Sequence, residues 1–235
     1  MNTHVFLITA KTNLHVGNES GGEFSIIDKA IQRDPLTNLP CINSSSLKGS
    51  IKEFCVHEAK LNNVKELFGS TVDEKGKVIN TKPEDTQKGS AIFFDAKLLY
   101  LPQQGAPINN QNQNMLFHYV TTQKIKNMMV ERVKLFDNSY TAEKIITPKG
   151  TIEIDDKKFQ EYCSDDNLPI IARNVLENGE SKNLWYEQVL PAETVLYTII
   201  REKGDILKNA LNGKIVQIGA NATIGYGYCK FDCIN

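Results

Sequence analysis

Four short runs of apolar residues stand out along this chain, and their patterns predict strands. Residues 5–10 and 189–201 are continuous, β-prone runs of the kind that form buried strands, and residues 214–218 form a shorter one. Residues 91–101 share this character. There the pattern predicts a break at Asp95 and an end before Pro102, because proline cannot donate to a strand ladder.

Three other segments place apolar residues at every third or fourth position, which is the repeat of an amphipathic helix. The first begins at Ser46, the second covers residues 123–136, and a short third covers about 205–211. The repeat in the second segment places its methionines in the core. Residues 70–89 and 103–114 are polar and predict loops.

Residues 137–186 differ from the rest because short β-prone pieces alternate there with polar turns. Asn178-Gly179 lies between two such pieces and is a strong hairpin signal. We interpret this stretch as an insertion into a single domain that covers residues 1–235. The order strand, helix, strand, helix, strand predicts an α+β domain on a ferredoxin-like antiparallel sheet with helices on one face, which is the plan of RNA-recognition modules.

Net charge does not identify a partner, because 27 basic and 28 acidic residues leave a balance of −1. That balance argues against binding naked nucleic acid by bulk charge. Locally, six bases and three acids lie between residues 119 and 150, whereas six acids and two bases lie between 153 and 166. The asymmetry fits either a basic binding face or a solvated helix face.

The sequence shows no pattern of export or membrane insertion. No apolar run approaches the ~20 residues that span a bilayer, and the first residues lack a secretory signal pattern. The five cysteines are odd in number and mostly scattered, which favours reduced thiols over disulfides or a structural zinc site. We therefore expect a cytoplasmic protein with no membrane partner.

Residues 14–50 carry most of the candidate chemistry. A glycine- and serine-rich loop at 17–22 leads to Asp28, and Arg33 ends the polar run that follows. A carboxylate beside cations is most often a surface ion pair. Next to RNA, the same carboxylate can hold a divalent cation or remove the proton of a ribose 2′-hydroxyl.

Three serines and a lysine mark the start of the first predicted helix: Ser44, Ser45, Ser46 and Lys48. Serine is a common helix N-cap, and that role requires no ligand. Free N–H groups, hydroxyls and a lysine one turn on also form a phosphate site that suits an RNA backbone. On this interpretation Lys48 and Lys52 contact phosphates without reading sequence. A serine hydrolase of the Ser-x-x-Lys type is rejected, because its companion motifs are missing from the sequence.

Other residues have a structural and a functional interpretation. His15 lies in an apolar, strand-like tripeptide, where a packed, hydrogen-bonded histidine is the commoner role. Trp185 and Tyr186, at the foot of the hairpin, suit either base stacking or anchoring of the hairpin. No metalloprotease, Walker or Rossmann spacing occurs, which disfavours a nucleotide-dependent enzyme.

Six motifs in a fixed order add a resemblance to these interpretations. They are Leu14-His15-Val16-Gly17; Ile27-Asp28 with Ile31-Gln32-Arg33; Ser45-Ser46-Leu47-Lys48-Gly49; Phe94-Asp95-Ala96; Leu184-Trp185-Tyr186-Glu187 with Leu190-Pro191; and Gly219 with Gly225-Tyr226-Gly227. Together they resemble the RAMP-type backbone subunits of type III CRISPR effector complexes, most closely the Cmr (III-B) branch. The motifs extend over nearly the whole chain, so their combination is far more specific than any one of them.

The resemblance implies partners and an RNA interface. Copies of such a subunit stack head to tail along a guide (CRISPR) RNA as a helical filament, beside other type III effector subunits. A hairpin thumb, here at about residues 170–186, displaces a nucleotide of the guide–target duplex. The helix start and the glycine-rich C-terminal loop hold the guide, which predicts these RNA-binding residues: His15, Arg33, Ser44, Ser45, Ser46, Lys48, Lys52, Gly219 and Asn221.

The resemblance also implies an activity. A loop aspartate of the family, which aligns with Asp28, supports cleavage of complementary single-stranded target RNA at regular intervals with a divalent metal. Asp28 is therefore predicted as the catalytic and metal-binding residue of a metal-dependent endoribonuclease that uses Mg²⁺ or Mn²⁺. The alternative is a non-catalytic scaffold that binds guide RNA, which would have no use for a carboxylate at this position.

Overall fold

The computed structural model describes residues 1–17, 27–70, 87–105 and 115–235. The strands in these ranges are β1 (Asn2–Ala10), β2 (Cys41–Ile42), β3 (Ile92–Phe93), β4 (Ala96–Gln104), β5 (Phe117–Thr121), β6 (Thr151–Glu153), β7 (Ile170–Glu177), β8 (Glu180–Gln188), β9 (Val195–Glu202), β10 (Ile215–Gln217) and β11 (Tyr228–Cys233). The helices are α1 (Ser44–His57), α2 (Val64–Phe68), α3 (Gln123–Lys134), α4 (Asp156–Tyr162) and α5 (Ile206–Leu211). Short 3-10 turns lie at Ala142–Lys144 and Ala222–Ile224.

The main sheet has the strand order β10-β11-β1-β9-β4-β5-β6. Its central strands, β11-β1-β9-β4, are antiparallel and follow the order of a split βαβ fold, with α1 between β1 and β4 and α5 between β9 and β11. The predicted α+β, ferredoxin-like fold class is confirmed. At one edge, β6 pairs in parallel with β5, which joins part of residues 137–186 to the sheet. The limits of the proposed insertion stay a prediction.

The core lies around β1 and β9, which pair over eight residues. Helix α1 buries its apolar stripe there, as the repeat predicted: Leu47, Ile51, Phe54 and Cys55. Helix α3 buries Met129 completely, but Met128 is 38% exposed, so the prediction that both methionines belong to the core is wrong for Met128. It lies one position away from the buried stripe of Ile125, Met129 and Val133.

Two strand boundaries differ from the sequence patterns. Pro102 does not end β4, which continues to Gln104. Because β4 pairs with β9 only as far as Tyr100, the residues beyond pair with β5 alone, and a proline is tolerated at such a site. The run at 189–201 becomes a strand only from Val195, because Pro191 begins a turn before it. The predicted loops at 70–89 and 103–114 lie largely outside the described residues.

Strands β7 and β8 form a separate two-stranded hairpin. Asn178 and Gly179 both have positive φ, at 51° and 84°, as a two-residue turn of the hairpin-favouring type requires. The predicted hairpin is therefore confirmed. Most of its side chains are exposed, including Leu176 at 65% and Leu184 at 53%.

The basic and acidic regions found in the sequence lie against each other. Lys126 forms an ion pair with Glu153, and Lys124 Nζ lies 3.9 Å from Asp156 Oδ2. The Arg132 guanidinium lies 5.9 Å from the centroid of the Tyr197 ring. Lys124 and Lys126 are therefore each paired with an acid of the acidic region, which offsets part of the local asymmetry. Among the helices of the described ranges, none has the length and apolar character needed to cross a bilayer.

Candidate nucleic-acid interface

Gln32 connects Gly17 to the start of α1. Its Nε2 donates to Gly17 O at 3.1 Å and to Ser46 Oγ at 3.0 Å, while its Oε1 accepts from the Asn43 backbone N–H at 2.7 Å. The residue is 9% exposed, so these bonds also satisfy a buried amide. The serine start therefore has a fixed position relative to Gly17. The signal for Gln32 was a polar residue directly after the apolar Ile31.

The serines are the first three residues of α1, and the residue before them, Asn43, occupies the N-cap position without a side-chain cap bond. Ser44 does not cap the helix. Its backbone N–H instead donates to Asp95 Oδ1 at 2.8 Å. A carboxylate of the protein thus already satisfies one free N–H of the helix start. The interpretation of the serines as N-caps is corrected to this extent, and Asp95 is a functional neighbour that local sequence reasoning missed.

Asp95 belongs to a small charge network behind the helix start. Its Oδ2 lies 3.1 Å from Lys97 Nζ, and Lys97 also pairs with Asp34. Asp34 accepts the backbone N–H of Thr37 at 2.8 Å. Burial opposes ionisation of Asp34, but the bonds from Lys97 and Thr37 outweigh it and lower the pKa of Asp34 from 3.8 to about 2.

A surface cleft of about 520 Å³ opens beside this helix start. Its lining includes Ser44, Ser45 and Lys48 of α1 together with Lys88 and Ser90. Hydroxyl groups and two lysines make this a cleft suited to phosphate. Lys88 lies in the predicted loop at residues 70–89 and Ser90 directly follows it, and the sequence analysis gave neither residue a role. We call the residues Ser44, Ser45, Ser46, Lys48 and Gln32 the α1 cradle.

Asp28 lies on the outer edge of β8, at the base of the hairpin. Its backbone N–H donates to Tyr186 O at 3.1 Å, and Tyr186 N–H donates back to Asp28 Oδ2 at 2.7 Å. The next residue repeats the attachment, because Lys29 N–H also donates to Tyr186 O and Lys29 O accepts from Gln188 N–H. The hairpin backbone therefore holds the Asp28 carboxylate. Because Asp28 is exposed, the carboxylate also remains open to a ligand. Residues 18–26, which include most of the predicted glycine- and serine-rich loop, lie outside the described residues.

Glu187, the neighbour of Tyr186, is a buried carboxylate at 1% exposure. It bonds to Lys29 on the Asp28 segment, to Trp185 on the hairpin and to Asn221 in the C-terminal loop. Three separate parts of the chain therefore meet at one side chain. We call Asp28, Lys29, Tyr186 and Glu187 the hairpin edge. Glu187 appeared in a sequence motif, but nothing in the local pattern indicated its partners.

Comparison with known proteins adds the family. Residues 7–230 match the RAMP superfamily. This chain belongs to the RAMP superfamily. The CRISPR system Cmr endoribonuclease Cmr4 of Pyrococcus furiosus is 27% identical over 93% of this chain and 91% of its own length. The CRISPR system CMR subunit Cmr4 of Saccharolobus solfataricus is 30% identical, over 58% of this chain and 42% of its own length.

Solved structures share the fold of this RAMP-superfamily chain. A chain of the type III-B Cmr-beta complex bound to cognate target RNA matches with a TM-score of 0.78, at 19% identity, over 100% of this chain and 98% of the other. Oligomeric Cmr4 from Pyrococcus furiosus matches with a TM-score of 0.67, at 19% identity and the same coverage. At this identity the likeness establishes the architecture alone.

The glycine-rich C-terminal loop of the RAMP domain reaches the same network. Gly219 has φ of +80°, and a Cβ at this position would lie 2.2 Å from His15 O. Asn221, also at positive φ, donates from Nδ2 to Glu187 Oε2 at 2.7 Å. The predicted RNA contacts Gly219 and Asn221 thus lie beside the hairpin edge, although the Asn221 amide is used within the protein.

His15 and Arg33 are bound internally. His15 is 3% exposed and its Nδ1 donates to Gln188 O at 2.7 Å, which assigns the proton to Nδ1. Arg33 donates to the Cys163 carbonyl at 2.8 Å and to Asp165 Oδ1 at 2.6 Å. Both side chains are therefore engaged in hydrogen bonds within the protein. Direct RNA contact by either of them stays a prediction.

The described residues offer a divalent cation little beyond Asp28. No group of three or more histidine, cysteine, aspartate or glutamate side chains placed to hold an ion occurs among them. Asp28 Oδ2 accepts the Tyr186 N–H, which leaves Oδ1 as the open ligand. A single carboxylate fits Mg²⁺ only as a shared ligand, because Mg²⁺ commonly keeps water and takes its other oxygens from substrate phosphates. Within the described part of the chain, a cation at Asp28 would therefore take its remaining ligands from water and RNA.

Proposed function

We propose that this protein is a repeated backbone subunit of a type III-B CRISPR ribonucleoprotein. In this proposal it binds guide RNA through the α1 cradle and cleaves complementary target RNA at regular intervals through Asp28. Copies of the chain stack head to tail along the guide, together with other Cmr subunits, in the cytoplasm. The relative of Pyrococcus furiosus, which bears the name Cmr endoribonuclease, supports this assignment over nearly the full length of both chains.

The observation that carries the proposal is the bonded path from the α1 cradle to Asp28. Ser46 is bonded to Gln32, and Gln32 to Gly17, next to the buried His15. His15 is bonded in turn to Gln188, which also holds the Asp28 segment through Lys29 O. In this proposal the α1 cradle is the phosphate-binding region, and it is joined to the exposed Asp28 carboxylate by these hydrogen bonds and by the chain between His15 and Gly17.

The chemistry follows from the open oxygen of Asp28. A carboxylate within reach of a ribose 2′-hydroxyl accepts its proton as the 2′-oxygen attacks the adjacent phosphorus. The bond to the 5′-oxygen breaks and this oxygen takes a proton from water, which leaves a 2′,3′-cyclic phosphate and a 5′-hydroxyl. Tyr186 N–H fixes the carboxylate during this step, since it holds Oδ2 at 2.7 Å. Where a divalent cation takes part, Asp28 would help to hold it, and the cation would neutralise charge on the phosphate.

The proposal assigns the hairpin the role of a thumb. Its exposed apolar side chains, such as Leu184, lie on the strand whose backbone holds Asp28. Apolar wedges of this kind unstack nucleotides. A nucleotide displaced by the thumb would therefore be next to the carboxylate, which accounts for one cut per subunit.

The test is target cleavage by the affinity-purified complex that contains Asp28→Asn. With labelled complementary RNA and Mg²⁺ or Mn²⁺, we expect the evenly spaced cuts to fall by at least about 100-fold, because asparagine cannot accept the proton. Guide RNA content and subunit assembly should be unchanged. Asp166→Asn, at an exposed aspartate outside the network, is the matched control and should cut normally.

The scaffold alternative predicts a different result. A non-catalytic RAMP subunit would give no evenly spaced cuts in the wild-type complex with either metal. If the Asp28→Asn complex cuts at the wild-type positions and rate, Asp28 is not the catalytic carboxylate and that part of the proposal is wrong.

A further inference from the structure

Glu187 is the point at which the hairpin, the Asp28 segment and the C-terminal loop are tied together. Its Oε1 accepts from Trp185 Nε1 at 2.7 Å and from Lys29 Nζ at 3.2 Å. Its Oε2 accepts from Asn221 Nδ2 at 2.7 Å and lies 3.6 Å from Arg173 Nη1. At 1% exposure it is shielded from any RNA on the surface.

Such a buried carboxylate is tolerated only when its oxygens are fully bonded. Burial opposes ionisation of Glu187, but the bonds from Trp185, Lys29 and Asn221 outweigh it and hold the pKa below its ordinary value of 4.5. Glu187 is therefore ionised at neutral pH, and both of its oxygens act as acceptors. Loss of the charge would leave donors from three segments facing each other.

The connection from Glu187 to Asp28 runs through Lys29. The Lys29 ammonium lies between the Glu187 carboxylate and the Trp185 ring, 5.0 Å from the ring centroid. The backbone of Asp28 and Lys29 is bonded to β8 at Tyr186 and Gln188. The ion pair between Lys29 and Glu187 thus adds a second attachment to the short backbone contact between residues 28–29 and β8.

We propose that Glu187 is a positioning residue for RNA cleavage, which acts through Lys29 to hold the Asp28 carboxylate at the base of the hairpin. This inference rests on the proposed function of Asp28. It adds that the cutting geometry depends on a buried acid that touches no RNA. A second consequence is that the C-terminal loop is linked to cleavage through Asn221.

The first test replaces Lys29, whose side chain is 54% exposed and so can be changed without disturbing the core. Lys29→Met keeps most of the length of the side chain and removes the charge. In the assembled complex at saturating target RNA, we expect the single-turnover cleavage rate to fall about tenfold or more. The target Kd and the assembly of the complex should be unchanged. The melting temperature should fall by roughly a few degrees, because the buried Glu187 loses one partner. Lys29→Arg should restore most of the rate.

Lys11→Met is the matched control, because Lys11 also forms a lysine–glutamate pair, to Glu193 at 3.0 Å, away from the hairpin. It should cut at the wild-type rate. The inference is overturned if Lys29→Met leaves the rate unchanged. It is also overturned if Lys29→Met weakens target binding with a lower salt slope, which would make Lys29 a phosphate contact.

The second test is Glu187→Gln. This change keeps the size of the side chain but replaces one carboxylate oxygen, which accepts hydrogen bonds, with an amide nitrogen that only donates. We expect a loss of rate at least as large as for Lys29→Met, and no additional loss when it is combined with Asp28→Asn. A further loss in the double variant would mean that Glu187 acts independently of Asp28. If the Asp28→Asn complex cuts normally, the proposed function is wrong and the positioning inference is wrong with it. If Asp28→Asn abolishes cutting while Lys29→Met and Glu187→Gln cut at the wild-type rate, only the positioning inference is wrong.

Discussion

The α1 cradle and the hairpin edge are two parts of one polar network, but they are held in place by different forces. Helix α1 carries the cradle and rests on the core through Leu47, Ile51 and Cys55, each with 0% exposure. The hairpin edge rests on backbone bonds to Tyr186 and on the buried Glu187, and the hairpin that carries them is mostly exposed. Apolar burial therefore secures the cradle, whereas a few polar bonds secure the carboxylate.

The two regions should therefore differ in their sensitivity to substitutions. Burial of several large apolar side chains stabilises by several kcal/mol in total, so the cradle should survive single polar substitutions. A hydrogen bond contributes about 1 kcal/mol, so the position of Asp28 should respond to changes that leave the fold intact. Cleavage should consequently be lost more readily than guide binding.

The largest effect is expected at the junction of the two parts, where Gly219 passes His15. A Cβ at Gly219 would lie 2.2 Å from the His15 carbonyl oxygen, and φ is +80°. Gly219→Ala should therefore destabilise the fold by about 3 kcal/mol or more, measured by denaturant unfolding.

Gly225 provides the matched control in the same loop. Its φ is +82°, but a Cβ at this position would have no atom of the described residues within 4 Å beyond its own chain neighbours. Gly225→Ala should cost only about 1 kcal/mol, which is the strain of the left-handed backbone alone. Equal losses for the two variants would mean that the close approach to His15 is unimportant.

A smaller effect is expected when low pH protonates Asp34, which is joined to the start of α1 through Lys97 and Asp95. The pKa of Asp34 is lowered from 3.8 to about 2, so its stabilising contribution is complete above pH 3.8 and is lost as pH falls toward 2. This shift corresponds to about 2 kcal/mol of folding stability.

Unfolding measured between pH 5 and pH 2 tests this contribution. Asp34→Asn should already lack it at neutral pH and should show a flatter pH dependence. A variant as stable as the wild type at pH 7, with the same slope in acid, would contradict the role of the Asp34–Lys97 pair.

The smallest effect is expected for the lysines of α1. Lys48 lines the cleft at the helix start, and Lys52 lies one turn further on. Replacing either with alanine should weaken guide binding about equally for all sequences and lower the slope of log K against log salt by about one. A loss restricted to particular guide sequences would contradict backbone contact.

The sequence predicted those features that depend on local patterns. The three-to-four-residue repeat located α1 and α3, and Asn178-Gly179 located the hairpin, because both signals arise within a few residues of the chain. The α1 stripe and the type of turn needed no tertiary information. The predicted fold class followed from the order of these elements.

The site's internal bonds could not be predicted in the same way. Asp95 reaches Ser44 across 51 residues, and Asp28 reaches Tyr186 across 158. No local pattern encodes such pairings, since they exist only after the sheet has formed. The same reason explains Arg33, whose bonds to Cys163 O and Asp165 were not predicted, and its RNA contact, which the resemblance implies, stays a prediction.

One measurement tests the separation of binding from cutting most directly. Guide RNA retention and the target cleavage rate are measured in parallel for complexes that contain Asp28→Asn or Lys48→Ala. The account predicts full retention without cutting for Asp28→Asn, and reduced retention at raised salt with a normal rate per bound target for Lys48→Ala. If retention and cutting fall together in both variants, the two regions are not separate and the account is wrong.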